Sequence, residues 1–199
     1  MPADAGQAVP ALDERALVAA VLAGSQAAFS QLMGLHQRTC AQIIGRMVGD
    51  RQLVADLLQE TFLLAFRQLH RFRFESSLRT WISRLAYTTA LQYLRRHRQQ
   101  AQWLVELDGQ QVPQAEDPGV PPELLGHQLQ LGHWLTQALE RLTPVQRLVV
   151  HMHYVQDFDI ADIVQVTAMP SGTIKSHLYR ARQVLKTELL RRAPAGELL

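Results

Sequence analysis

The most chemically loaded stretch of the chain is Pro170-Ser171-Gly172-Thr173-Ile174-Lys175-Ser176-His177-Leu178-Tyr179-Arg180-Ala181-Arg182. At 100° per residue, Ile174, Leu178, Ala181 and Leu185 fall on one side of a helix, which therefore packs inward. Lys175, Ser176, Tyr179, Arg180 and Gln183 fall on the other. Hydrogen-bond donors and cations on one outward face are what base edges and phosphates require. Ser171 is placed to cap the first amides, and Gly172 to let the backbone approach a neighbour. Such a segment reads as the second helix of a helix-turn-helix, the one that enters a DNA major groove. The alternative is an ordinary amphipathic surface helix with solvated cations.

The residues before it supply the rest of such a module. Thr143-Pro144-Val145-Gln146 is a capping box with proline at the first helical position. Val145, Leu148, Val149 and Met152 follow at helical spacing. A second helix starts at Asp159, with Ile160, Ile163 and Val164 apolar. It ends at Thr167-Ala168-Met169-Pro170, since proline cannot sit inside a helix. A support helix, a first helix, a tight turn and a recognition helix thus occur in order.

With Phe158-Asp159-Ile160-Ala161-Asp162-Ile163 and Gly172-Thr173-Ile174-Lys175-Ser176, this half resembles region 4 of bacterial sigma-70 factors, in particular the small extracytoplasmic-function (ECF) type. The resemblance implies contact with the −35 promoter element through Ser171, Gly172, Thr173, Lys175, Ser176, Tyr179 and Arg180. His177 departs from the family, where arginine is commoner. It sits at the edge of the buried side, which predicts packing for it.

In the N-terminal half, Asp50 begins a pattern with Leu53, Val54, Leu57, Thr61, Leu64 and Ala65 on the core side. Asp56, Gln59, Glu60, Leu63 and Phe66 share the outward side. A stripe mixing acids with exposed apolar residues suits a protein partner better than DNA. An ordinary solvated acidic face is the competing reading. Asp56-Leu57-Leu58-Gln59-Glu60-Thr61-Phe62 is similar to the family's region 2.2, which docks on the clamp helices of core RNA polymerase.

Between Arg67 and Arg98 stand eight arginines and one acid, Glu75. A segment so positive attracts a polyanion without any site geometry. Cations alternate with aromatics through Arg71-Phe72-Arg73-Phe74, and a helix opens near Ser77. Arginines hold phosphate while aromatic rims receive unstacked bases. The segment resembles regions 2.3 and 2.4, which melt the −10 element and read it as single strand. That likeness assigns Arg71, Phe72, Arg73, Ser76, Trp81, Arg84, Thr88 and Arg95 to the −10 element. Thr88 stands where asparagine is frequent. Trp81 reads equally as a core residue.

Residues 99–127 carry no Lys or Arg but five acids, with four prolines between Pro113 and Pro122. This is a linker by composition. The resulting division is a disordered leader over 1–10, a region 2 domain over 11–98, a flexible acidic linker over 99–127, a helix-turn-helix region 4 domain over 128–192 and a tail over 193–199. The fold expected is all-α, two small helical domains on a flexible tether.

Enzymatic readings find no support. No phosphate-cradling glycine loop, nucleophile elbow or supported carboxylate pair is present. His151 and His153 are i,i+2 on a helix, so they point apart and cannot share a metal. The single cysteine, Cys40, excludes an internal disulfide and fits a reducing cytoplasm. No apolar run approaches membrane-spanning length. The resemblance spans residues 13–190 and implies no cofactor. It implies promoter DNA, core RNA polymerase through its clamp helices and flap, and an anti-sigma factor as partners, without membrane insertion. The protein would be cytoplasmic, and at the nucleoid when in holoenzyme. The function implied is that of an alternative sigma factor. The competing class is a polymerase-independent helix-turn-helix regulator, and a third is a sigma-like protein that acts by protein contact alone. An acidic docking helix beside an arginine-aromatic segment has no purpose in a regulator, and this favours the first.

Overall fold

The structure, a computed structural model, describes residues 13–105 and 135–192. The expected leader, most of the expected linker, residues 128–134 and the tail lie outside them. All the regular structure among the described residues is helical.

Three helices in a row start with the capping chemistry of their first residues. Asp13 accepts from the Arg15 amide and opens α1 (Glu14–Leu22). Ser25 accepts from the Ala28 amide and opens α2 (Gln26–Val48). Asp50 accepts from the Gln52 amide at 2.8 Å and opens α3 (Arg51–Gln68). Each cap satisfies a donor that would otherwise have no partner, worth about 1 kcal/mol. The chain reverses at Gly24 and Gly49, both at positive φ (92° and 78°), where a Cβ would be strained. A single 3-10 turn (Leu69–Arg71) and the loop 72–77 lead into α4 (Leu78–Val105).

These elements close on a core of Leu17, Val18 and Val21 from α1, Leu32, Cys40 and Ile44 from α2, Leu57 and Phe62 from α3, and Leu78, Ile82, Ala86 and Ala90 from α4. α4 runs seven residues beyond Arg98, into the stretch expected to begin the linker. The sequence Gln99-Gln100-Ala101-Gln102-Trp103-Leu104-Val105 holds no glycine or proline to stop it.

The second unit contains a helical stretch at 135–140, then α5 (Pro144–Tyr154), α6 (Ile160–Thr167) and α7 (Ser171–Arg192). The capping box at Thr143 and Gln146 is complete, and Pro144 stands in the first turn as the sequence indicated. Leu148, Val149 and Met152 are buried, whereas Val145, in the first turn, is exposed. Asp159 caps α6 through the Asp162 amide at 2.7 Å. The core is Leu148, Val149, Met152, Phe158, Ile163, Val166, Ile174, Leu178 and Ala181. Ile43 of α2 belongs to this second core, so the two units touch.

Candidate nucleic-acid interface

The turn between α6 and α7 depends on Ala168, which ends α6 in the left-handed conformation (φ 58°, ψ 17°) while its amide donates to the Val164 carbonyl. Thr167 braces this corner. Its hydroxyl donates to the Ile163 carbonyl at 2.6 Å and accepts from the Met169 amide. α7 leaves the corner with Ile174, Leu178 and Ala181 buried and Leu185 half-buried. Lys175, Ser176, Tyr179, Arg180 and Gln183 are exposed, Tyr179 by 59%. The wheel drawn from the sequence therefore has the correct rotation. His177 is half-buried, with its Nδ1 enclosed, so it belongs to the packing side.

Two local roles differ from expectation. Ser171 is the first helical residue rather than the cap, and the first-turn amides of Thr173 and Ile174 bond to the Pro170 carbonyl. Gly172 faces open space, with nothing within 4 Å of where a Cβ would stand, so no close approach in the fold explains it. Both residues, with Thr173, are exposed at the helix N-terminus, which favours anions.

In the first unit, Trp81, Arg84, Thr88 and Arg95 lie at i, i+3, i+7 and i+14 of α4 and so share one stripe. Arg84, Thr88 and Arg95 are exposed and Trp81 is half-buried. The Thr88 hydroxyl donates to the Arg84 carbonyl at 2.7 Å, leaving its lone pairs to face outward. Arg71 and Arg73 are exposed on the loop that precedes the helix, and Ser76 is half-buried. Phe72 stands apart from these. It is only 8% exposed and packs against Phe74 (4.6 Å between centroids) and Trp81 (5.3 Å). Its place is beneath the loop, holding the neighbouring rings, rather than at the surface.

α1 shapes this loop, and nothing in its sequence signalled that. The Glu14 carboxylate accepts from the Leu78 amide at 3.1 Å and so caps α4 from 64 residues away. Arg15 lies 4.5 Å above the Phe74 ring, and Phe74 has φ 58°, which is costly for a bulky residue. The Ser77 hydroxyl accepts from the Thr80 amide and completes the start of α4.

On α3, Asp56, Gln59, Glu60, Leu63 and Phe66 are all exposed, Leu63 by 51% and Phe66 by 54%. Neither carboxylate has an ion-pair partner among the described residues. Phe66 meets Phe29 of α2 edge to face at 5.1 Å, which fixes its ring without covering it. Two large apolar side chains beside two unpaired acids form a surface suited to a protein.

The two histidines of α5 occupy different surroundings. The His153 Nδ1 donates to the Phe158 carbonyl at 3.0 Å. His151 is buried, and burial together with the Arg46 charge lowers its pKa to about 4. Cys40 is fully buried and its thiol is pushed up to about 12. Neither group is poised for metal binding or nucleophilic chemistry.

The chain matches the family model for Sigma-70 region 2 over residues 32–100 and that for Sigma-70, region 4 over residues 132–185. It is 30% identical to the ECF RNA polymerase sigma-E factor of Escherichia coli K12, over 89% of this chain and 95% of that protein. It is 25% identical to the ECF RNA polymerase sigma factor SigW of Bacillus subtilis, over 83% of this chain and 91% of that one. The fold resembles CnrH, solved with the cytosolic domain of CnrY, at a TM-score of 0.60 and 20% identity, covering 90% of this chain and 99% of that one. It also resembles the sigma factor RpoE of Bartonella quintana, solved with the anti-sigma factor NepR, at 0.61 and 22%, covering 83% and 98%. Both halves match their regions in the family's order, on a fold whose outward faces carry the expected chemistry. The chain therefore belongs to the ECF group of the sigma-70 family of RNA polymerase sigma factors.

Proposed function

We propose that the three exposed faces divide the work of a promoter-specific initiation factor. The acidic-apolar face of α3 docks on the clamp helices of core RNA polymerase. The loop 72–77 and the α4 stripe of Trp81, Arg84, Thr88 and Arg95 hold the −10 element as single strand, with Arg71 and Arg73 on its phosphates. The outward face of α7, through Lys175, Ser176, Tyr179 and Arg180, reads the −35 element in the major groove. Ser171, Gly172 and Thr173 offer the helix N-terminus to a phosphate there. The region 4 unit also meets the polymerase flap. Sigma factors are transcription initiation factors, and the alternative of a polymerase-independent regulator loses its ground with the family.

One observation carries the reading: the α7 face that would meet bases is exposed at every position while its opposite face is buried at Ile174, Leu178 and Ala181. No helix among the described residues is long and apolar enough to cross a membrane. We place the protein in the cytoplasm. An anti-sigma factor is a further partner, by analogy with the two fold relatives solved as complexes.

Run-off transcription with purified core polymerase and a promoter library tests the assignment. Discrete transcripts that need both elements are expected. Tight operator binding without polymerase, and no stimulated transcript, would overturn it.

A further inference from the structure

Phe66 stands on the α3 face proposed to meet core polymerase, yet what steadies it belongs to another helix. Its ring is 54% exposed, and Phe29 of α2 lies 5.1 Å away with the two planes at 68°. An aromatic side chain on a bare helix surface has two χ1 wells open to it, and a ring without neighbours divides itself between them. An edge-to-face partner favours the one in which the rings meet. Phe29 can serve as that partner because its own place is fixed. It is half-buried and packs against the first core. Its amide donates to the Ser25 carbonyl at 3.1 Å, and the Ser25 hydroxyl accepts from the Ala28 amide at 3.2 Å. Phe29 therefore stands in the capped first turn of α2, beside the buried Ala28, and the chain enters that turn through Gly24 at φ 92°. Phe29 belongs to the fold and Phe66 to the surface.

We infer that Phe29 is a positioning residue for polymerase docking: it holds the Phe66 ring in the orientation that meets core polymerase, without meeting polymerase itself. The inference rests on the docking role proposed for the α3 face. A side chain that is immobilised on binding loses rotamer freedom, and that loss weakens the complex. A ring already held in its bound orientation loses less, so the contact between Phe29 and Phe66 strengthens docking although it lies wholly within this chain. The effect of Phe29 passes through Phe66 alone. Leu63, the other large apolar side chain of this face, stands three residues earlier on α3, and its contribution is independent of the ring pair.

A double-substitution cycle on the full-length chain tests this, read as the dissociation constant for core polymerase. Phe29→Leu should weaken binding about threefold to tenfold, the range that an aromatic pair supplies. Phe29→Tyr keeps the ring and should stay close to wild type. In a Phe66→Ala background, Phe29→Leu should weaken binding no further. A loss that persists in that background would mean that Phe29 touches polymerase or supports the whole unit, and it would overturn the inference. So would an unchanged affinity in Phe29→Leu, or equal losses in Phe29→Leu and Phe29→Tyr. Urea unfolding followed by circular dichroism accompanies each variant. Phe29→Met, unbranched and adaptable, takes the place of Phe29→Leu if the leucine variant does not fold. The two readings fail separately. Wild-type affinity in Phe66→Ala removes Phe66 from the docking face and this inference with it. Weakened binding in Phe66→Ala beside an inert Phe29→Leu removes only the role of Phe29.

Discussion

Acidification should destabilise this protein in a window set by His151. The ring is buried, faces the Arg46 guanidinium of α2 and shares α5 with Arg147. Its pKa falls from 6.5 to about 4 in the folded chain, first by burial and then by the Arg46 charge. A lowered folded pKa means that the unfolded chain takes up the proton first. The contribution to stability is whole above pH 6.5 and is lost as pH falls toward 4. At about 1.4 kcal/mol per pH unit the ceiling is about 3 kcal/mol, and at pH 5 the loss is about 2 kcal/mol relative to pH 8. His36 is displaced the same way, to about 4, by burial and Arg79. It is half-buried, so solvent screening reduces its share. The measurement is urea unfolding of wild type and His151→Gln at pH 8 and pH 5, followed by circular dichroism. The variant is less stable than wild type at pH 8, having lost a fitted ring, but its loss between pH 8 and pH 5 should be smaller by ~2 kcal/mol. An identical pH dependence in the two proteins would refute the reasoning.

Three further outcomes are expected. Asp56→Arg with Glu60→Arg should weaken co-purification with core polymerase while leaving helical content intact, since both side chains are exposed. Arg180→Ala should cost about 1–3 kcal/mol at one −35 base pair if its contact is bidentate, whereas Arg191→Ala should have a small and uniform effect in the same promoter library. Ala168→Gly should raise the unfolding free energy by up to ~1 kcal/mol, read as a higher urea midpoint, because glycine relieves the left-handed strain at φ 58°. A lowered midpoint would mean that loss of chain entropy outweighs the relief.

What the sequence made legible was local. The rotation of α3 and α7 follows from residues three and four apart, and the caps at Asp50, Thr143 and Asp159 follow from side chains beside the amides they satisfy. What it hid involves partners far along the chain. Phe72 looks like an exposed aromatic between two arginines, and only Phe74 and Trp81 packed on it show that it is buried. Ile43 and Ile44 are adjacent apolar residues of one helix, yet they enter different cores. Arg79 counts as one more cation of a basic stretch until Phe158 is placed beneath it, 79 positions later. Gly172 remains unexplained by packing, since the space around it is open.

The bond from Glu14 to the Leu78 amide, with Arg15 stacked on Phe74, makes α1 a jig for the loop beside it. Two consecutive residues of one short helix set where α4 begins and which way an aromatic ring leans. On the −10 role proposed for this loop, discrimination among −10 sequences is heritable at positions that never meet a base. Glu14→Gln or Arg15→Lys alters the template on which the loop is formed while every side chain facing DNA stays the same. Promoter preference can drift between related chains by this route even where their reading surfaces are identical.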